Sequence, residues 1–168
     1  MANGAGEGRG VPLRRLAKTA ASLVAAAVLV AFSAGCGGAE GVAKGASVTA
    51  YVVPPLCAEA ERELAREQGR AGDLRVKAVC LPSVENRGRL KLAVVGANAR
   101  RATEASTAVA FLEAPGRASR FAHPILETAE IPWVTSSSGQ KAMAQLLKAI
   151  ERAGGSGSLR AALADALE

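Results

Sequence analysis

Aromatic side chains make up only 3% of this 168-residue chain, so its core cannot be built around rings. Val, Leu and Ile, carried on alanine-rich helices, must supply the buried surface instead. Histidine occurs once, at His123, which leaves little material for a histidine-based metal site. Aspartate is as scarce: Asp73 and Asp165 are the only two, and both lie far from His123 in sequence, so a Ser–His–Asp triad has no support. Three cysteines are too few for a dense disulfide scaffold. No strand-like run leads into a GxGxxG or GxxxxGK[ST] phosphate loop, and the stretch from Gly88 to Gly96 has neither the spacing nor the strand–helix setting. No cofactor and no metal are therefore expected. The length allows one domain plus a short extra segment, which excludes a multidomain enzyme. With 49% hydrophobic residues, disorder over the whole chain is excluded as well.

The formal net charge of +6 divides unevenly. Arg9, Arg14, Arg15 and Lys18 stand against Glu7 alone in residues 1–35, so half the excess sits in the first fifth of the chain. Elsewhere acids and bases alternate, as in Glu59, Glu61, Arg62, Glu63, Arg66, Glu67 and Arg70. That pattern describes a solvated helix face with i,i+4 pairs, and it gives no basis for nucleic-acid binding.

Arg14, Arg15 and Lys18 precede an uncharged apolar run from Thr19 to Ala34. A positive flank, a short apolar segment and small residues at its end follow the plan of a secretory signal. The run is short for a spanning helix, which needs roughly 20 residues; an uncleaved membrane anchor is the alternative. Ser33-Ala34-Gly35-Cys36 resembles a bacterial lipoprotein signal, in which Cys36 is lipidated and becomes the mature N-terminus. Ser33 stands where that pattern prefers an aliphatic residue, so ordinary signal-peptidase cleavage also stays open. The following Gly/Ala-rich residues suit a flexible tether. The expected organisation is a signal peptide over 1–35, a tether over 36–46 and one domain over 47–168. The expected location is outside the cytoplasm, lipid-anchored to the outer face of the cytoplasmic membrane, or periplasmic.

From Val48 onward strand-like and helix-like stretches alternate. β-Branched and apolar runs predict strands at 48–53, 74–81, 107–112 and 131–135. Helical character predicts helices at 57–70, 119–129, 140–153 and 159–167, with a polar loop over 82–89. Leu90 to Ser106 reads either as a strand or as a helix with Leu92, Val95, Ala99 and Ala102 on one face. The order predicts an α/β fold, a doubly wound parallel sheet between helices.

Within residues 96–138, Ala97-Asn98-Ala99-Arg100, Ala108-Val109-Ala110-Phe111-Leu112, Pro124-Ile125-Leu126 and Ile131-Pro132 before the serines resemble the first lobe of type I periplasmic solute-binding proteins. These are the leucine/isoleucine/valine-binding proteins of amino-acid ABC importers. Lys141-Ala142-Met143 through Gly154, and on to Leu167, resembles the C-terminal helices of that family. In the family these stretches are separated by the remainder of the first lobe and nearly all of the second. The resemblance implies a single periplasmic-binding-protein-like lobe. It also implies that hydroxyls of two loops, Ser119 in one and Ser136, Ser137 and Ser138 in the other, hold the α-carboxylate and α-ammonium of an amino-acid-like ligand. The three adjacent serines also read as caps of the next helix. Glu113 departs from the small residues of the family's loop; it reads as a ligand-ammonium partner or, more simply, as a surface carboxylate. Trp133 reads as a packing residue. Cys57 and Cys80 fall at or just beyond the carboxyl ends of neighbouring strands, where export would favour a disulfide, as in some members of the family; two free thiols are the alternative.

Two functions emerge as expectations. One is a solute-binding-like lipoprotein whose ligand binding is weak or lost, with an ABC permease as partner. The other is an envelope structural or regulatory lipoprotein that binds a protein partner or a second copy of itself. Neither is an enzyme.

Overall fold

The computed structural model describes residues 43–154 and 158–167. The apolar run, Cys36 and the tether up to residue 42 lie outside the described residues. Among the described residues no helix is long and apolar enough to cross a membrane.

Strands β1 (Ser47–Val52), β2 (Arg70–Ala71), β3 (Leu74–Cys80), β6 (Ala108–Glu113) and β7 (Trp133–Thr135) form one sheet in the order β2-β3-β1-β6-β7. All neighbours are parallel except β2 and β3, which pair antiparallel at the edge. Helices α1 (Cys57–Arg66), α2 (Leu92–Glu104), α3 (Ser119–Thr128), α4 (Gly139–Ala153) and α5 (Leu159–Leu167) cover both faces. The α/β class and the largely parallel sheet agree with the sequence expectation.

Side-chain alternation explains the two layers. Val48, Ala50 and Val52 of β1 pack with Leu64 of α1 and Met143, Leu146 and Ile150 of α4. Tyr51 and Phe111 turn the other way, toward Val95 and Ala99 of α2 and Leu126 of α3. Strand β6 carries one irregularity: Thr49 pairs with Ala108 but Ala50 with Ala110, so Val109 is an extra residue. Such a bulge changes which residues face each layer. It leaves Val109 and Ala110 both on the α1–α4 side and sends Phe111 to the α2–α3 side.

Two local expectations are corrected and one reading left open is decided. Helix α1 ends at Arg66 rather than at 70, because Gln68 and Gly69 take positive φ and turn the chain into β2. The polar loop over 82–89 contains a hairpin of β4 (Glu85–Asn86) and β5 (Arg89–Leu90). Arg87 and Gly88, both at positive φ, form its two-residue turn, the geometry that suits a hairpin's twist. Residues 92–104 are helical and not a strand, and Leu92 is exposed while Val95, Ala99 and Ala102 are buried.

Helix α5 packs Leu159 and Leu163 into the core and is also held by a side chain that reaches across to the sheet. Arg160 donates from Nε to the Ala108 carbonyl at 2.8 Å and from Nη2 to the Ala105 carbonyl at 3.2 Å. These carbonyls lie at the turn into β6, so the cation secures the last helix to the amino end of the sheet. On the opposite face of α4, Gly139 meets α1 directly: a Cβ there would stand 2.0 Å from the Leu56 carbonyl oxygen.

Candidate functional site

The chain leaves β1 for β3 on one side and later returns to β6 on the other. That reversal places a crevice at the carboxyl ends of β1 and β6, the usual location of ligands in doubly wound sheets. A cleft of about 280 Å³ occupies it, lined by Pro54 and Pro55, by Ser83 to Glu85 and by Glu113 to Ala118. Pro54 and Pro55 offer it no side-chain donor, and Ser83 and Arg117 are the donors in its lining. None of Ser119, Ser136, Ser137 and Ser138 lines it.

The serines are engaged elsewhere. Ser136 N–H donates to the Glu113 carbonyl, continuing the β6–β7 pairing by one residue. Its hydroxyl donates to the Ser138 carbonyl at 3.0 Å and accepts from the Ser138 N–H at 3.2 Å, closing a tight turn. Ser138 is the N-cap of α4, its Oγ accepting from the Lys141 N–H. The same hydroxyl donates to Glu59 Oε2 at 2.8 Å, and the Gln140 N–H also reaches that oxygen. Those two bonds hold the Glu59 carboxyl below its ordinary value. Glu59 thus occupies the start of α4, where an incoming carboxylate would otherwise find its donors. Ser137 is exposed. Ser119 sits in the first turn of α3 with its hydroxyl buried and without a hydrogen bond. The four serines therefore do not converge on one cavity among the described residues.

Glu113 is not a surface carboxylate. It is 3% exposed, and its Oε1 accepts from His123 Nε2 at 2.5 Å. The imidazole in turn stacks on Trp133, with ring centroids 4.2 Å apart and planes 23° from parallel. The bulge in β6 is the physical reason: counting by twos from Val109 would aim Glu113 at α4, whereas the extra residue aims it at α3. Sequence spacing carried no sign of this pair, because the nine residues between the partners cross a strand end, a loop and a helical turn.

Val52 and Cys80 are register partners in β1 and β3, and Cys57 opens α1 just past the end of β1. The Cys57 and Cys80 sulfurs consequently lie at disulfide-bonding distance, with Cα atoms 5.7 Å apart, inside the range that a bridge requires. Cys36 lies outside the described residues. No cluster of three or more His, Cys, Asp or Glu side chains able to hold a metal occurs among the described residues. Comparison with protein-family models, curated proteins and solved structures finds no match for this chain.

Proposed function

We propose that this chain is an exported, lipid-anchored, non-catalytic protein related to the first lobe of type I solute-binding proteins, in which tight solute binding is lost. The observation that carries the second half of this reading is Glu59 at the start of α4. A carboxylate ligand at the serine loop would have to displace a protein carboxylate from the Ser138 hydroxyl and the Gln140 N–H. The switch-point crevice supports the same reading, since prolines and the loop from Glu113 to Ala118 form its wall and Glu113 is already bound to His123. Two-lobed binding proteins enclose their solute, whereas a single lobe leaves any ligand half solvated, where each hydrogen bond contributes only about 1 kcal/mol.

Two measurements test the reading. Cys36→Ala should move the protein out of the membrane fraction; retention of that variant would favour an uncleaved apolar anchor. A thermal-shift screen of amino acids, with the solution mass determined in parallel, should show no stabilisation by leucine, isoleucine or valine. A shift of several degrees at micromolar ligand would overturn the loss of binding.

A further inference from the structure

Positive charge gathers at one end of the domain. Arg87, Arg89, Lys91, Arg117 and Arg120 are all exposed, and none of them forms an ion pair with a described residue. They are spread over more than thirty positions in sequence, yet the topology collects them. Helices α2 and α3 come after β3 and β6, so both begin at the carboxyl end of the parallel strands, and they pack against each other. Arg117 Nη2 donates to the Gly88 carbonyl at 3.5 Å, which joins the loop before α3 to the β4–β5 turn. Neither helix has a side-chain cap or an acidic residue in its first turn, so both positive helix ends add to the same field. At the carboxyl end of the sheet Glu113 is buried against His123 and Glu59 is bound by the Ser138 hydroxyl at the start of α4, while Glu85 of β4 stands exposed beside the cations.

Two exposed apolar side chains adjoin cations in sequence, Leu92 next to Lys91 and Phe121 next to Arg120. Leu92 is 52% exposed and Phe121 48%, and they are the exposed large hydrophobic residues of the described domain. Each lies in the first turn of its helix, Leu92 in α2 and Phe121 in α3. We propose that this face docks on an anionic lipid bilayer, with Leu92 and Phe121 entering the headgroup layer and the five cations meeting lipid phosphates. Two isolated apolar side chains are far short of the roughly 800 Å² per partner that a stable protein interface buries. They are enough for a surface that a tether already holds nearby, because tethering makes the second contact intramolecular. In that respect the inference rests on the anchored reading above.

The test uses the full chain with Trp133→Phe and Phe121→Trp, so that the single indole reports on the docking face. The protein is mixed with vesicles of phosphatidylcholine alone or with phosphatidylglycerol added. Co-sedimentation with phosphatidylcholine alone reads anchoring by the N-terminal segment, and the indole emission reads docking separately. The expected result is a blue shift on anionic vesicles only, reversed by high salt. Arg117→Glu with Arg120→Glu should weaken the response about tenfold or more. Equal emission on both vesicle types, or a response indifferent to charge reversal, would overturn the proposal. A comparable shift with a soluble polyanion such as heparin would also overturn it, assigning the face to an acidic macromolecule.

Discussion

Ser138 Oγ donates to Glu59 Oε2 at 2.8 Å and thereby links the start of α4 to the first turns of α1. The bond joins residues 79 positions apart and closes the serine loop against an incoming anion. It also lowers the Glu59 pKa from its ordinary value of 4.5. A carboxyl whose pKa is depressed by folding stabilises the native state above its unfolded pKa, and that contribution is lost as pH falls through the folded one.

Ser138→Ala should therefore return the Glu59 pKa upward toward its ordinary value, as read by carboxyl NMR titration. Loss of the N-cap adds about 1 kcal/mol of destabilisation that does not depend on Glu59. The stability gap between variant and parent should narrow as pH falls from 4.5 through the lower pKa of Glu59 in the folded parent, because the unfolded chain takes up its proton first and the folded carboxyl is finally protonated as well. A gap constant across that window would show that the bond has no energetic consequence.

His123→Ala leaves the buried Glu113 carboxyl without its hydrogen-bond partner, so urea unfolding should show a loss of about 2 kcal/mol. Glu113→Leu combined with His123→Ala should cost less than the single histidine change, since no buried polar group is then left unsatisfied. Additive losses would show that the two side chains act independently.

Gly139→Ala places a methyl group 2.0 Å from the Leu56 carbonyl oxygen and 2.9 Å from the Ala60 nitrogen, both backbone atoms. Helices α1 and α4 must separate, at a cost of about 3 kcal/mol or more. Denaturant midpoints read this directly, and Gln140→Ala, one residue on and exposed, serves as the neutral control.

Cys57 and Cys80 should be recovered as one linked peptide pair under non-reducing conditions from protein folded in an oxidising environment. Closing a loop of 23 residues in sequence separation is worth about 3 kcal/mol in the chain-entropy model, so Cys57→Ser with Cys80→Ser should lose about that much. Alkylation of both thiols without prior reduction would contradict the bridge.

Signal strength decided which elements were legible in the sequence. Val48 to Val53, Leu74 to Leu81 and the run to Leu112 carry enough β-branched and apolar character to define strands. Met143, Leu146, Leu147 and Ile150 define α4 by period alone. β2 was not legible because it is two residues, Arg70 and Ala71, held by neighbouring positive-φ turns rather than by its own side chains. The run LKLAVVG satisfies both periods at once, and the helix is the form that packs Val95, Ala99 and Ala102 against the sheet and α3. At the candidate site the serine loop was found, with capping and ligand contact both open; capping is what its geometry shows. The engagement of Glu59 and the burial of Glu113 were not legible. The first joins elements far apart in the chain, and the second depends on one extra residue in β6.

The central claim is that this α/β domain does not hold an amino acid tightly. Isothermal titration calorimetry of the monomeric protein with leucine, isoleucine and valine tests it most directly. The account expects a dissociation constant on the order of millimolar or weaker, near −4 kcal/mol, with little further change on Ser136→Ala or Ser137→Ala. A micromolar or tighter complex with the monomer would contradict it.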